Sequence, residues 1–126
     1  MDEKVAGARV LIVEDEYFLA NDITQALTAL GLTAVGPVGN RTSALQTIVE
    51  AGIEAAVVDI YVEAGADFAV ADELVMHNIP FVFATGYGAK TIPTRFAGIA
   101  IFEKPYDTNE LARHPLDASA LVGAFT

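Results

Sequence analysis

Ala55-Ala56-Val57-Val58-Asp59-Ile60 is an apolar run interrupted by a single carboxylate, and turn-forming residues follow at Glu63-Ala64-Gly65. A continuous run of this length lacks the polar alternation of a half-exposed strand. It predicts a strand covered on both faces, as in a parallel sheet lying between helices. The carboxylate at its end then falls at the carboxyl edge of the sheet, where open α/β folds place their ligands. Taken alone, Asp59 serves equally well as a cap for the turn that follows. The other strand ends have to decide.

Four further segments repeat the pattern. Arg9-Val10-Leu11-Ile12-Val13 is apolar and stops at Glu14-Asp15-Glu16. Leu19, Ile23, Ala26, Leu27 and Leu30 then fall on one stripe of a helix that Gly31 ends. Thr33 to Pro37 predicts a short strand, weakened because proline donates nothing to a ladder. Asn40 is a good cap for a second helix with the stripe Ala44, Leu45, Ile48 and Val49, closed by Gly52. After the 55–59 strand, Asp67 caps a third helix carrying Val70, Ala71, Leu74 and Val75. Phe81 to Ala84 forms a fourth strand ending at Thr85-Gly86, and Ile99 to Phe102 a fifth ending at Glu103-Lys104-Pro105. Asp107 and Glu110 resemble a capping box opening a last helix, which Pro115 kinks or breaks. Strand and helix alternate throughout, which argues for an open, doubly wound, five-stranded parallel α/β sheet with helices on both faces.

The alternation falters between Gly86 and Gly98. A fourth helix belongs there, yet the segment holds three glycines and Pro93. Glycine costs about 1 kcal/mol and proline about 3 kcal/mol inside a helix. The expectation is a mobile loop with one or two helical turns at most, so a fourth helix that is short or disordered. The whole chain, 1–126, is expected to be one domain, with its core at about 8–112 and an apolar tail at 113–126 that forms a kinked final helix or a contact with another chain.

Charge narrows the partners. Asp and Glu outnumber Lys and Arg 17 to 7, for a net charge of −10. Such a field repels nucleic acid but not a divalent cation. Cysteine is absent, which excludes disulfides and thiolate chemistry. No apolar run reaches the roughly 18–20 residues of a membrane span, and the charged start Met1-Asp2-Glu3-Lys4 does not read as a signal peptide. The expected setting is the cytoplasm.

In a parallel sheet the strand ends share one edge. Glu14, Asp15, Asp59, Thr85 and Lys104 all terminate strands, so three carboxylates, a hydroxyl and an ammonium are predicted to converge. Three crowded carboxylates are unfavourable unless a cation sits among them. All-oxygen ligands suit Mg²⁺ or Mn²⁺. Lys104 and Thr85 then suit a phosphoryl oxygen, and Asp59 suits the nucleophile that forms an acyl phosphate. Each of these residues has an ordinary structural use when taken singly; their coincidence at successive strand ends carries the reading.

With these motifs in place (Val13-Glu14-Asp15, Val58-Asp59, Ala84-Thr85-Gly86 and Lys104-Pro105) the chain resembles the receiver domains of two-component response regulators over roughly residues 8–112. The resemblance implies a flavodoxin-like sheet with strand order 2-1-3-4-5. It implies Glu14 and Asp15 as the acidic metal pair, Asp59 as phosphoacceptor, Thr85 as switch hydroxyl and Lys104 as the phosphoryl-pairing lysine. It further implies that the backbone carbonyl of Tyr61 completes a Mg²⁺ site, and that the Lys104–Pro105 bond is cis. The stretch Phe81 to Gly88 is similar to the signature of a Phe-Ala-Thr-Gly-x-Gly receiver subgroup, often single-domain and partnered with histidine kinases. One position departs from the family. The aromatic residue expected three before the lysine is Ile101, so the usual aromatic switch does not carry over; Phe102, one residue along, points to the opposite face. Ordering of 86–98 is the alternative route for a signal.

The resulting expectation is a stand-alone phosphoacceptor domain, not a turnover enzyme. It would take its phosphoryl group from a histidine kinase and act through protein contacts with an adaptor or a phosphotransferase, with no nucleic acid or membrane partner. Tyr61 and Tyr87 are placed to screen the phosphoryl group from water or simply to pack over a loop. His77 and His114 read as surface or capping residues. Two other classes stay open at this point: an aspartyl-phosphate phosphatase or phosphotransferase acting on a small substrate, and a receiver-like binding module that is never phosphorylated. Position 61 being Tyr argues against the first, because those enzymes want a second acid there.

Overall fold

Side chains alternate across β1 (Arg9–Val13), and both faces find a core. Val10 and Ile12 pack with Ile23, Leu27, Val57 and Leu111 on one side of the sheet. Leu11 and Val13 pack with Ala44, Ile48, Val58, Leu74 and Phe83 on the other. This two-sided burial is what an unbroken apolar strand requires. It recurs in β3 (Ala55–Asp59), where every residue is buried.

The computed structural model describes residues 7–59, 68–85, 92–103 and 111–112. The remaining strands are β2 (Thr33–Val38), β4 (Phe81–Thr85) and β5 (Ile101–Glu103). The helices are α1 (Tyr17–Ala29), α2 (Arg41–Glu50) and α3 (Ala69–Met76). All neighbouring strands are parallel, and the sheet order is β2-β1-β3-β4-β5. Helix α1 and the helical pair Leu111–Ala112 cover one face, while α2 and α3 cover the other.

The helix ends follow their local chemistry. The Asn40 side chain accepts a 2.8 Å hydrogen bond from the Ser43 amide and caps α2. At the end of α1, Gly31 sits at φ +83°, its amide reaches the Thr28 carbonyl, and the Leu32 amide reaches that of Leu27. That paired arrangement satisfies two terminal carbonyls and needs a residue in the left-handed region.

Several expectations are corrected. Val49 and Val75 are exposed, although their spacing puts both on apolar stripes. Each sits next to a residue that is buried, Ile48 and Leu74, and consecutive helical positions lie about 100° apart, so one of each pair turns outward. Phe68, not Asp67, occupies the N-cap position of α3. Strand β5 starts at Ile101 instead of Ile99, because the Ile99 amide bonds the Phe96 carbonyl and closes a turn first. Strand β2 runs past Pro37 to Val38 at the sheet margin, and the register with β1 shifts between Leu11 and Val13 to accommodate it. Among the described residues of the 86–98 segment there is a single 3-10 turn, Thr94–Phe96, and no α-helix. The Asp107–Glu110 capping box, Pro115 and the tail lie outside the described residues.

Candidate functional site

Strand register brings the acidic residues together. Val13 pairs with Val58, so Glu14 and Asp59 are the next positions along adjacent strands. Asp59 in turn pairs with Ala84, and Thr85 with Glu103. The carboxyl edge of the sheet therefore carries Glu14, Asp59, Thr85 and Glu103 in sequence across β1, β3, β4 and β5.

Glu14 and Asp59 are almost fully buried, at 3% and 4% exposure, whereas Asp15 is exposed. One carboxylate oxygen from each of the three lies within 4.8 Å of the others. The backbone fixes Glu14 tightly. Its amide donates to the Val38 carbonyl at 3.0 Å, and its Oε2 accepts from the amides of Asp15 at 3.1 Å and Glu16 at 3.4 Å. The turn after β1 is thus wrapped around the carboxylate it carries. Close above it, the glycine at position 39 approaches Asp15, whose Cβ would lie 3.5 Å from a side-chain carbon there.

Such a cluster has one plain electrostatic use. Carboxylates this close repel one another when charged, and a bound cation offsets that repulsion. The donors are all oxygen and all anionic, which fits a hard divalent ion and not a thiophilic one. Glu14, Asp15 and Asp59 are therefore the residues that could hold a metal, two from inside the fold and one from its surface.

The sequence-derived site residues divide accordingly. Glu14, Asp15 and Asp59 come together as expected. Thr85 ends β4 on the same edge, and its side chain lies outside the described residues. Lys104 and the Tyr61 carbonyl also lie outside them, as do Tyr87, the Lys104–Pro105 bond and His114. His77 ends α3, with its ring 3.1 Å from Glu73, in keeping with a surface capping role. Ile101 and Phe102 pack into opposite cores, as the strand alternation requires.

Two features near the site were not anticipated. Tyr17 and Phe18 open α1 immediately after the acidic turn and are largely exposed, with their rings edge-to-face at 5.4 Å. On the opposite side of β4, Phe68, Phe81, Phe83 and Phe96 form one aromatic cluster. The first was visible in the sequence as two adjacent aromatics on no apolar stripe. The second joins residues far apart in the chain and left no local signal.

No protein-family model matches the chain, and no curated protein matches it. Solved structures do. The solution structure of SdrG from Sphingomonas melonis Fr1 superposes with a TM-score of 0.74 at 32% identity, covering 94% of this chain and 97% of SdrG. The beryllofluoride-activated conformation of SdrG, from Pseudomonas melonis Fr1, matches at 33% identity and TM-score 0.70, covering 96% and 98%. A response regulator receiver protein from Sinorhizobium medicae WSM419 matches at 25% identity and TM-score 0.71, covering 94% and 97%. The receiver domain of the sensor histidine kinase PA1611 from Pseudomonas aeruginosa PAO1 shares the fold at 21% identity and TM-score 0.70, covering 86% and 93%; that structure has a magnesium ion in its active-site cleft.

Proposed function

This chain belongs to the response regulator receiver family, and on that premise we propose that it accepts a phosphoryl group from a histidine kinase onto Asp59. The observation that carries the proposal is the convergence of Glu14, Asp15 and Asp59 within 4.8 Å at the carboxyl edge of a five-stranded parallel sheet. Mg²⁺ is the ion these residues would hold, with the Tyr61 carbonyl completing the set. When bound it supplies charge neutralisation among the carboxylates and around the phosphoryl oxygens.

The chain's own groups divide the remaining work. A carboxylate oxygen of Asp59 forms the new O–P bond while the N–P bond of a phosphohistidine donor breaks and its electron pair leaves with the imidazole. Burial of Asp59 between β1 and β4 limits which oxygens of the acyl phosphate meet water. Lys104 and Thr85 are assigned to the phosphoryl oxygens, as charge and hydrogen-bond donor respectively. Tyr17 and Phe18, exposed beside the acidic turn, offer apolar footing for a donor protein. On this reading the domain signals through protein contacts and is not a turnover enzyme.

The test is incubation with acetyl phosphate and Mg²⁺ followed by intact mass measurement. The expected result is a phosphate-sized gain that chelation of the metal prevents and that Asp59→Asn abolishes. A gain that persists in Asp59→Asn overturns the assignment.

A further inference from the structure

Of the three clustered carboxylates, Asp15 is the one that burial does not fix. Glu14 and Asp59 are enclosed by the sheet, whereas Asp15 is exposed on the turn that leaves β1. An exposed side chain keeps its rotamers unless neighbours restrict it, and a metal ligand has to be held in place. What lies against Asp15 is the connection from β2 to α2. A Cβ at position 39 would stand 3.5 Å from the Asp15 Cβ and 3.7 Å from its Cα.

An irregular strand end brings position 39 there. Three steps along β2, from Val35 to Val38, match two along β1, from Leu11 to Val13. The extra residue re-aims the end of β2, as bulges do beside functional sites. The Val38 carbonyl thereby receives the Glu14 amide at 3.0 Å, which ties the acidic turn to β2. Just past Gly39, Asn40 caps α2 through the Ser43 amide at 2.8 Å. Position 39 is thus held between a strand bond on one side and a helix cap on the other.

Backbone conformation does not account for a glycine at this point. Gly31 and Gly36 adopt positive φ, and Gly39 does not, so its backbone would admit a side chain. A bare Cβ also fits, because 3.5 Å is ordinary carbon–carbon contact. A β-branched residue is different. It fills two of the three staggered positions around that Cβ and brings carbon into the space beside Asp15.

We propose that Gly39 is a positioning residue: it sets where Asp15 presents its carboxylate, and through Asp15 the size of cation that the cluster prefers. The proposal rests on the reading of Glu14, Asp15 and Asp59 as metal ligands. Mg²⁺ demands near-ideal octahedral geometry at about 2.0–2.1 Å, whereas Ca²⁺ accepts flexible geometry at about 2.3–2.6 Å. Two carboxylates fixed by burial cannot follow a displaced third, so a shift of Asp15 costs the smaller ion more.

The test is titration of the full chain with magnesium chloride and, separately, calcium chloride, followed through the Asp15 and Asp59 backbone amides by NMR. Gly39→Ala is expected to keep the parent Mg²⁺ midpoint. Gly39→Val is expected to weaken it severalfold and to change the Ca²⁺ midpoint less, which narrows the preference for Mg²⁺. In ion-free buffer the β3 and α3 amides and the denaturation midpoint should stay at parent values, which separates placement of Asp15 from damage to the fold. If Gly39→Val loses its dispersed spectrum, Gly39→Ser, with one γ atom, carries the same comparison. Midpoints equal to the parent's, or weakened equally for both ions, overturn the proposal and leave the metal site intact. Parent amides that respond to neither ion overturn the metal site and the proposal together.

Discussion

The β1–β3 half of the sheet and the β4–β5 connection do opposite jobs with opposite materials. At β1 and β3, every strand residue from Val10 to Val13 and from Ala55 to Asp59 is buried, and two of the three clustered carboxylates sit inside that packing. On the other side, the described connection holds one 3-10 turn, a surface ion pair and an aromatic anchor over an open groove. Chemistry needs positions held to a fraction of an ångström, and a densely packed interior supplies them. Readout needs an element whose position changes for a small free-energy difference, and such elements come from the weakly packed part of a fold. The receiver thus sets a tightly packed acidic edge beside a loosely held connection.

Mutations should expose the contrast. Leu11→Ala, in the sealed core beneath the acidic turn, is expected to cost about 3 kcal/mol by leaving a cavity the surroundings cannot fill. Chemical denaturation should show that loss across the whole molecule, as a lowered midpoint for every probe. A loss confined to one region would mean the two halves unfold separately. Phe96→Leu should cost less, about 1 kcal/mol, mostly the ring contacts with Phe68, Phe81 and Phe83. Its hydrogen-exchange signature should centre on 92–101 and leave β1 and β3 protected. Equal deprotection of β1 would mean that the two regions open together.

The smallest effect is electrostatic. The hydrogen bonds from Arg95 lower the pKa of Asp72 below its ordinary value of 3.8. A carboxylate with a depressed folded-state pKa stabilises fully above its unfolded value and loses that contribution as pH falls through the folded one. The Arg95–Asp72 pair should therefore persist at neutral pH and open only as pH falls below the ordinary carboxylate value of 3.8. Arg95 side-chain NMR signals followed against pH should show this, and Asp72→Asn should flatten the response. An opening already complete near pH 6 would point to another titrating group.

What the sequence disclosed divides along the same line. Strand β3 was legible because a fully buried parallel strand leaves an unbroken apolar run, and Asp59 stands out as the one charge in it. Glu14 and Asp15 followed, since parallel topology places strand ends on one edge. The α2 cap was legible because Asn40 acts on its own neighbour, Ser43. Less legible were features set by three-dimensional neighbours. Val49 and Val75 look like core residues, and only the helix's actual rotation against the sheet shows that they face solvent. The Arg95–Asp72 pair and the Phe68–Phe96 stack link distant positions with no periodicity to mark them. The glycines and proline of 86–98 argue against a regular helix, and among the described residues of that segment a single 3-10 turn is found.

The margins of the sheet set one more condition on how this domain meets others. Strand β2 carries Gly36–Pro37, where Gly36 adopts φ +99° and a side chain would come within 2.9 Å of the Val38 amide nitrogen and 3.0 Å of the Ile12 carbonyl. Proline there removes a donor, and the shifted register bends the row of backbone groups. At the far margin, β5 contributes three residues, Ile101–Glu103. Among the described residues, neither border offers the long, flat ladder that lets a foreign strand zip onto a sheet. Such borders disfavour strand addition, which leaves the helices and turns as the better footing for a partner.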